Sequence, residues 1–191
     1  MIQSKEDLHE YIKYDMLINL KKEKISLWDY LKDIMGRQGE AFQVCIYLKY
    51  LRLYEYYLNN KKGVLRTIKM QYYKNKYLKK TNKLRIYIQP NSVGKGLFIP
   101  HYAGGIYLNC IKMGDFCTIS SGVVVGNKNS QKNRATIGNH VELCVGSKVI
   151  GGITIGDNVI VAPNAVVTKN IPNGAIVGGI PAKLLKKINN E

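Results

Sequence analysis

The chain has 191 residues, 46% of them hydrophobic, with 29 Lys and Arg against 13 Asp and Glu, a formal net charge of +16. That length holds one full core and at most a small second unit, and the apolar fraction excludes a disordered chain. The charge points to an anionic partner (a phosphorylated cofactor, an acidic polymer, anionic lipid or nucleic acid), and no apolar run of about eighteen residues is present to span a membrane.

The opening MIQSKEDLHE is charged and has no apolar centre, so no signal peptide is visible and a cytoplasmic location is expected. Residues 1–85 read as a helical N-terminal unit. Ser4 with Asp7 caps a first helix carrying Leu8, Tyr11, Ile12 and Met16 at helical spacing. Ser26 with Asp29 caps a second, with Leu27, Leu31, Ile34 and Met35, ended by Gly36. A third covers Glu40 to Leu58, and Asn59-Asn60-Lys61-Lys62-Gly63 breaks it. A fourth runs from Val64 to Leu78 and interleaves basic and aromatic residues. Two readings stand for the basic stretch 61–85. The preferred one is an amphipathic helix packed on its neighbours with its lysines snorkelling; the other is a surface for an anionic glycan or membrane.

The regime changes at Pro90. From Met113 onward aliphatic residues recur every six positions: Ile119, Val125, Ile137, Leu143, Val149, Ile155, Val161 and Val167. Six steps of about 100° leave a helical residue about 240° round, so no helix has this period. A coil of three short faces does, with six residues to a face and roughly eighteen to a rung. Residues 86–191 are therefore expected to form a parallel β-helix. The period slips by two residues between Ile99 and Met113, and His101 lies in that slip. From Asn127 to Ala135 the polar NKNSQKNRA interrupts the series without shifting it, so 127–135 is expected to protrude as a loop. The coil closes near Ile171-Pro172, followed by a strand from Ala175 to Val177 and a short basic tail.

Cys45, Cys110, Cys117 and Cys144 form no CxxC or CxxH pattern and read as reduced thiols. Only His101 and His140 lie in the coil, too few for a zinc site, and no metal is expected. No nucleic-acid motif is present, so no nucleic-acid partner is expected.

The hexads, with TIGDNVIVAPNAVVTKNIP and GGIPAKLLKKI behind them, resemble the hexapeptide-repeat acyltransferases, whose fold is a left-handed parallel β-helix. VGKGLFIPHYAGGIYLN resembles the active-site coil of serine acetyltransferases and of related O-acetyltransferases of capsule and exopolysaccharide biosynthesis. The resemblance implies acetyl-CoA as donor, a homotrimer with sites between neighbouring coils, and His101 as the general base that activates an acceptor hydroxyl. It implies donor contacts at Gly126, Val145, Gly146, Ala162, Pro163, Thr168, Lys169, Lys183 and Lys186. Tyr87 stands where serine acetyltransferases carry the Asp that orients the catalytic His, Pro100 replaces the Asp before that His, and no His follows Arg134. Those departures favour a saccharide hydroxyl as acceptor, in surface-polysaccharide biosynthesis, with Tyr87, Asn109, Asn133 and Arg134 as acceptor contacts. The alternatives are serine as acceptor and a non-catalytic scaffold binding an anionic partner.

Overall fold

The computed structural model describes residues 1–26, 39–60 and 62–187. Helix α1 spans Lys5–Leu20, α2 Glu40–Asn59 and α3 Val64–Leu84. The expected capping box closes α1: the Asp7 N–H donates to Ser4 Oγ and the Ser4 N–H to the Asp7 carboxylate. The helix expected between Ser26 and Gly36 lies outside the described residues. Helix α3 continues six residues past its expected end, to Leu84, where Arg85 takes a left-handed conformation and turns the chain into the coil.

The coil has three faces. The first carries β1 (Ile86–Ile88), β2 (Ile106–Leu108), β5 (Val124–Gly126), β8 (Lys148–Ile150) and β11 (Val166–Val167). The second carries β3 (Lys112–Met113), β6 (Thr136–Ile137) and β9 (Thr154–Ile155). The third carries β4 (Thr118–Ile119), β7 (Glu142–Leu143), β10 (Ile160–Val161), β12 (Ala175–Gly178) and β13 (Lys183–Lys187). Every pairing is parallel except β12 with β13. The hexad residues from Met113 to Val167 are all at most 1% exposed and form one stack inside the coil.

Register explains both irregularities. Ile137 pairs with Ile155 eighteen residues on, the regular rung. Ile86 pairs with Ile106, and the two extra residues lie in the turn that holds His101. Val124 pairs with Lys148, and the six extra residues lie within the 127–135 excursion between the first and second faces. The basic tail differs from expectation: Lys183–Lys187 fold back as β13 against β12, with every β13 side chain exposed.

One corner, between the second and third faces, is held by a ladder of carboxylate and amide side chains. The backbone N–H of Lys95 donates to Asp115 Oδ1, that of Asp115 to Asn139 Oδ1, that of Asn139 to Asp157 Oδ1 and that of Asp157 to Asn173 Oδ1. The residue before each donor is glycine because the next rung's side chain occupies its Cβ position: a Cβ on Gly138 would sit 2.7 Å from the Gly156 backbone. His140, in a left-handed conformation, stacks on Phe116 at this corner and belongs to the ladder's packing. Gly138→Ala is expected to lose about 1–3 kcal/mol of unfolding free energy, read by urea denaturation, because neither rung can move aside. An unchanged midpoint would show that the corner opens freely.

The helices close the coil's first rung. Among the described residues no strand lies beside the outer edge of that rung, and buried polar side chains satisfy it instead. Tyr77 Oη donates to the Ile88 carbonyl (2.7 Å), and Arg52 donates to the carbonyls of Val93 (2.9 Å) and Gly94 (2.6 Å). Asp15 accepts the Leu97 N–H, Asn19 accepts the Ile99 N–H and donates to the Leu97 carbonyl, and Glu55 accepts the Asn91 N–H. Arg52 also pairs with Asp15 (2.9 Å) and Glu55 (3.1 Å), all three fully buried. Burial raises both carboxyls against the pull of Arg52; it opposes the guanidinium charge too, but the two carboxylates outweigh it and hold Arg52 protonated. Val44, Tyr47, Leu48 and Leu51 of α2 join Ile86, Ile88 and the hexad stack in a single core.

Candidate active site

The turn from Pro100 to Gly105 joins the third face to the first. Its two surplus residues prevent the chain from cutting the corner tightly, and His101 projects from it with its side chain 73% exposed. The turn is pinned from both ends: the Gly105 N–H donates to the Tyr102 carbonyl, and the Gly104 N–H donates to Ser121 Oγ on the next rung.

His101 has a partner that the sequence did not disclose. Its Nδ1 lies 2.9 Å from Glu40 Oε2, and Glu40 is the first residue of α2. With neutral imidazole, Nδ1–H donates to the carboxylate and the Nε2 lone pair is left facing outward, as a general base requires. A carboxylate from the helical unit thus does for His101 what the coil's own Tyr87 cannot. The contact spans 61 positions, and the only local signal is an acidic residue opening a helix.

The remaining expected site residues fall into two columns. Val145 and Gly146 occupy the same corner as His101 two rungs on, and Ala162 and Pro163 three rungs on. The corner is stitched by Gly122 N–H to the Gly105 carbonyl, Gly146 N–H to Ser121 and Asn164 N–H to Val145. At about 4.8 Å per rung this places them roughly 10 and 14 Å along the coil from His101. Lys183 continues that edge at the start of β13, and Lys186 stands opposite Ile176.

The second column is the corner between the first and second faces. Gly126 ends β5 there, and Thr168 and Lys169 follow β11, both exposed. The expected acceptor residues gather on it. Arg134 donates to Asn109 Oδ1 (3.3 Å), and Asn109 Nδ2 donates to Gln131 (3.3 Å). Asn133 fastens the loop by accepting the Gly152 N–H and donating to the Lys128 carbonyl. Tyr87 stacks on Tyr107, ring centres 5.0 Å apart, and donates to Gln89. Within one chain this cluster and His101 therefore lie on different edges of the coil.

Cys110 and Cys117 bond backbone carbonyls of the coil, and Cys144 lies beside the Glu142 carboxylate. Burial pushes Cys117 up to about 11, and Cys144 reaches about 11 through burial and the Glu142 carboxylate. Neither is available as a thiolate near neutral pH, which disfavours an acyl-cysteine route.

Residues 134–169 match the family model described as bacterial transferase hexapeptide (six repeats). Over 105 residues, 53% of this chain, the sequence is 39% identical to a serine acetyltransferase of Helicobacter pylori, covering 61% of that protein. It is 37% identical over 95 residues, 49% of the chain, to a serine acetyltransferase of Synechococcus elongatus, covering 39% of that protein. The chain thus spans less than two thirds of either relative. A solved Neisseria gonorrhoeae serine acetyltransferase in complex with serine superposes with a TM-score of 0.67 over 96% of this chain and 71% of that one, at 20% identity. That likeness fixes the coil as a left-handed parallel β-helix behind a helical unit.

These comparisons correct the saccharide acceptor and the polysaccharide pathway expected above, because the relatives are serine acetyltransferases. Of the three departures that weighed against serine, the structure answers one: His101 has a carboxylate partner in Glu40 without an Asp at position 87.

Proposed function

We propose that this chain, which belongs to the hexapeptide-repeat acyltransferases on their serine acetyltransferase-like branch, is an acetyl-CoA-dependent serine O-acetyltransferase. The carrying observation is the His101–Glu40 pair at the head of the Val145–Pro163 column. His101 Nε2 takes the proton from the serine hydroxyl as its oxygen attacks the thioester carbonyl, while Glu40 holds the imidazolium that forms. The same imidazolium returns the proton to the departing thiolate, giving O-acetylserine and free CoA. Backbone N–H groups of the coil edge stabilise the oxyanion.

The donor lies along the column of Val145, Gly146, Ala162 and Pro163, with Lys183 and Lys186 as point charges for its phosphates. Gly126, Thr168, Lys169 and the Asn109–Arg134 cluster belong to the other edge, so a complete site takes one edge from each of two copies. A homotrimer satisfies this at three equivalent junctions. Tyr87, Asn133 and Arg134 face the acceptor there.

The test is thiol release from acetyl-CoA by the full chain with and without serine. Serine-dependent release that saturates is the expected result. Acetyl-CoA binding without serine-dependent release overturns the acceptor, and failure to bind acetyl-CoA overturns the enzyme.

A further inference from the structure

Helix α3 has two faces with different fates. One packs on the molecule, with Tyr77 and Leu84 buried and the Tyr77 hydroxyl bonded to the first rung. The opposite face begins with Val64 (76% exposed), Leu65 (77%), Ile68 (60%) and Tyr72 (53%). At about 100° per residue these four fall within an arc of roughly 100°. The preferred sequence reading, an amphipathic helix with its apolar residues packed inward, holds only for the other side.

Further along the same arc the residues change to Lys76, Lys79 and Lys83, and Lys76 Nζ stands 5.4 Å from the Tyr72 ring centre. No Asp or Glu occurs anywhere between Glu55 and Asp115, so this basic run carries no compensating carboxylate of its own.

We propose that this face of α3 docks on an anionic phospholipid surface, with Val64, Leu65, Ile68 and Tyr72 entering the headgroup boundary and Lys76, Lys79 and Lys83 resting on lipid phosphates. Two features select the occupant. A soluble polyanion accounts for the lysines but gives no use for three exposed aliphatic side chains at one end of the helix. A second copy of this chain accounts for the aliphatics but brings the lysines no counter-charge, since α3 carries no carboxylate. A bilayer surface accepts both, burying the apolar end at the level where the basic side chains meet phosphate. No helix among the described residues is long and apolar enough to cross a membrane, so the contact is peripheral.

The test is co-sedimentation of the full chain with vesicles of phosphatidylcholine alone and of phosphatidylcholine mixed with phosphatidylglycerol, at low and high salt. Binding is expected only to the mixed vesicles and is expected to weaken with salt. Leu65→Ser with Ile68→Ser, and separately Lys76→Gln with Lys79→Gln and Lys83→Gln, are each expected to weaken it about tenfold or more. Leu65, Ile68, Lys79 and Lys83 are exposed and Lys76 is half-buried, and both variants are expected to keep the parent's circular dichroism. Failure of the parent to bind mixed vesicles overturns the proposal. So does a Leu65→Ser/Ile68→Ser chain that binds as the parent does, which would leave charge attraction alone. Self-association of the parent in ultracentrifugation, abolished by that same variant, overturns it in favour of a second copy.

Discussion

Replacing His101 with Ala is expected to slow serine-dependent acetyl transfer by roughly 10²–10⁴-fold while acetyl-CoA binds as before. A hydroxyl near neutral pH is a poor nucleophile, and with the imidazole gone the Glu40 carboxylate is left behind the place the ring occupied, a side chain away from the acceptor. Glu40→Gln is the finer probe. The amide oxygen can still accept from Nδ1–H, so the ring keeps its tautomer and direction, but the charge that steadies the imidazolium is lost. We expect kcat to fall about 10- to 100-fold with KM for both substrates nearly unchanged. The pair is largely exposed, so the melting temperature is expected to stay within a degree or two. A drop in stability that accounts for the lost activity would make Glu40 a structural tether. Full turnover in Glu40→Gln would show that His101 works without it.

Arg52→Met is expected to lower the unfolding free energy by about 3–5 kcal/mol in urea titration. The side chain is wholly buried, and its removal strands Asp15 and Glu55 in the core along with the carbonyls of Val93 and Gly94. An ordinary buried ion triad is often replaced by apolar side chains without loss. This one is expected to behave differently. In the triple variant Arg52→Met, Asp15→Leu, Glu55→Leu the charges are gone, but the Val93 and Gly94 carbonyls and the Leu97 and Asn91 N–H groups have lost their partners. Each buried orphan costs about 1–3 kcal/mol. The triple variant is thus expected to remain well below the parent, and its recovery to parental stability would refute the capping role.

The coil was legible in the sequence because its physics is local and repeated. Every hexad aliphatic from Met113 to Val167 had one destination, and even the two-residue slip and the 127–135 excursion could be read as departures from a fixed count. The capping residues were not legible. Arg52, Asp15 and Glu55 sit among helical charges that ordinarily face water, and nothing in their spacing says that an unpaired strand edge lies opposite. Glu40 was missed for the same reason: its partner is supplied by tertiary placement of α2, not by any neighbour in sequence. The tail was not read as a strand because Lys183–Lys187 show no alternation of apolar and polar residues, and β13 forms by backbone pairing with β12 while its side chains stay exposed. The saccharide acceptor was drawn from Tyr87, Pro100 and the missing His after Arg134, and the serine acetyltransferase relatives overturn it; for the first of these, a carboxylate absent from the coil is supplied from another element.

A parallel coil has no intrinsic length. Each rung presents to the next the same row of donors and acceptors that it received, so an uncovered end is a template on which another chain can add, and a stack of such chains is a fibre. This protein terminates the series at both ends by different means. At the start, side chains from α1, α2 and α3 occupy the row one group at a time. At the finish, β13 runs against β12 and turns outward an edge studded with Lys183, Lys186 and Lys187. The helices and the basic hairpin therefore turn a polymer geometry into a coil of fixed rung number.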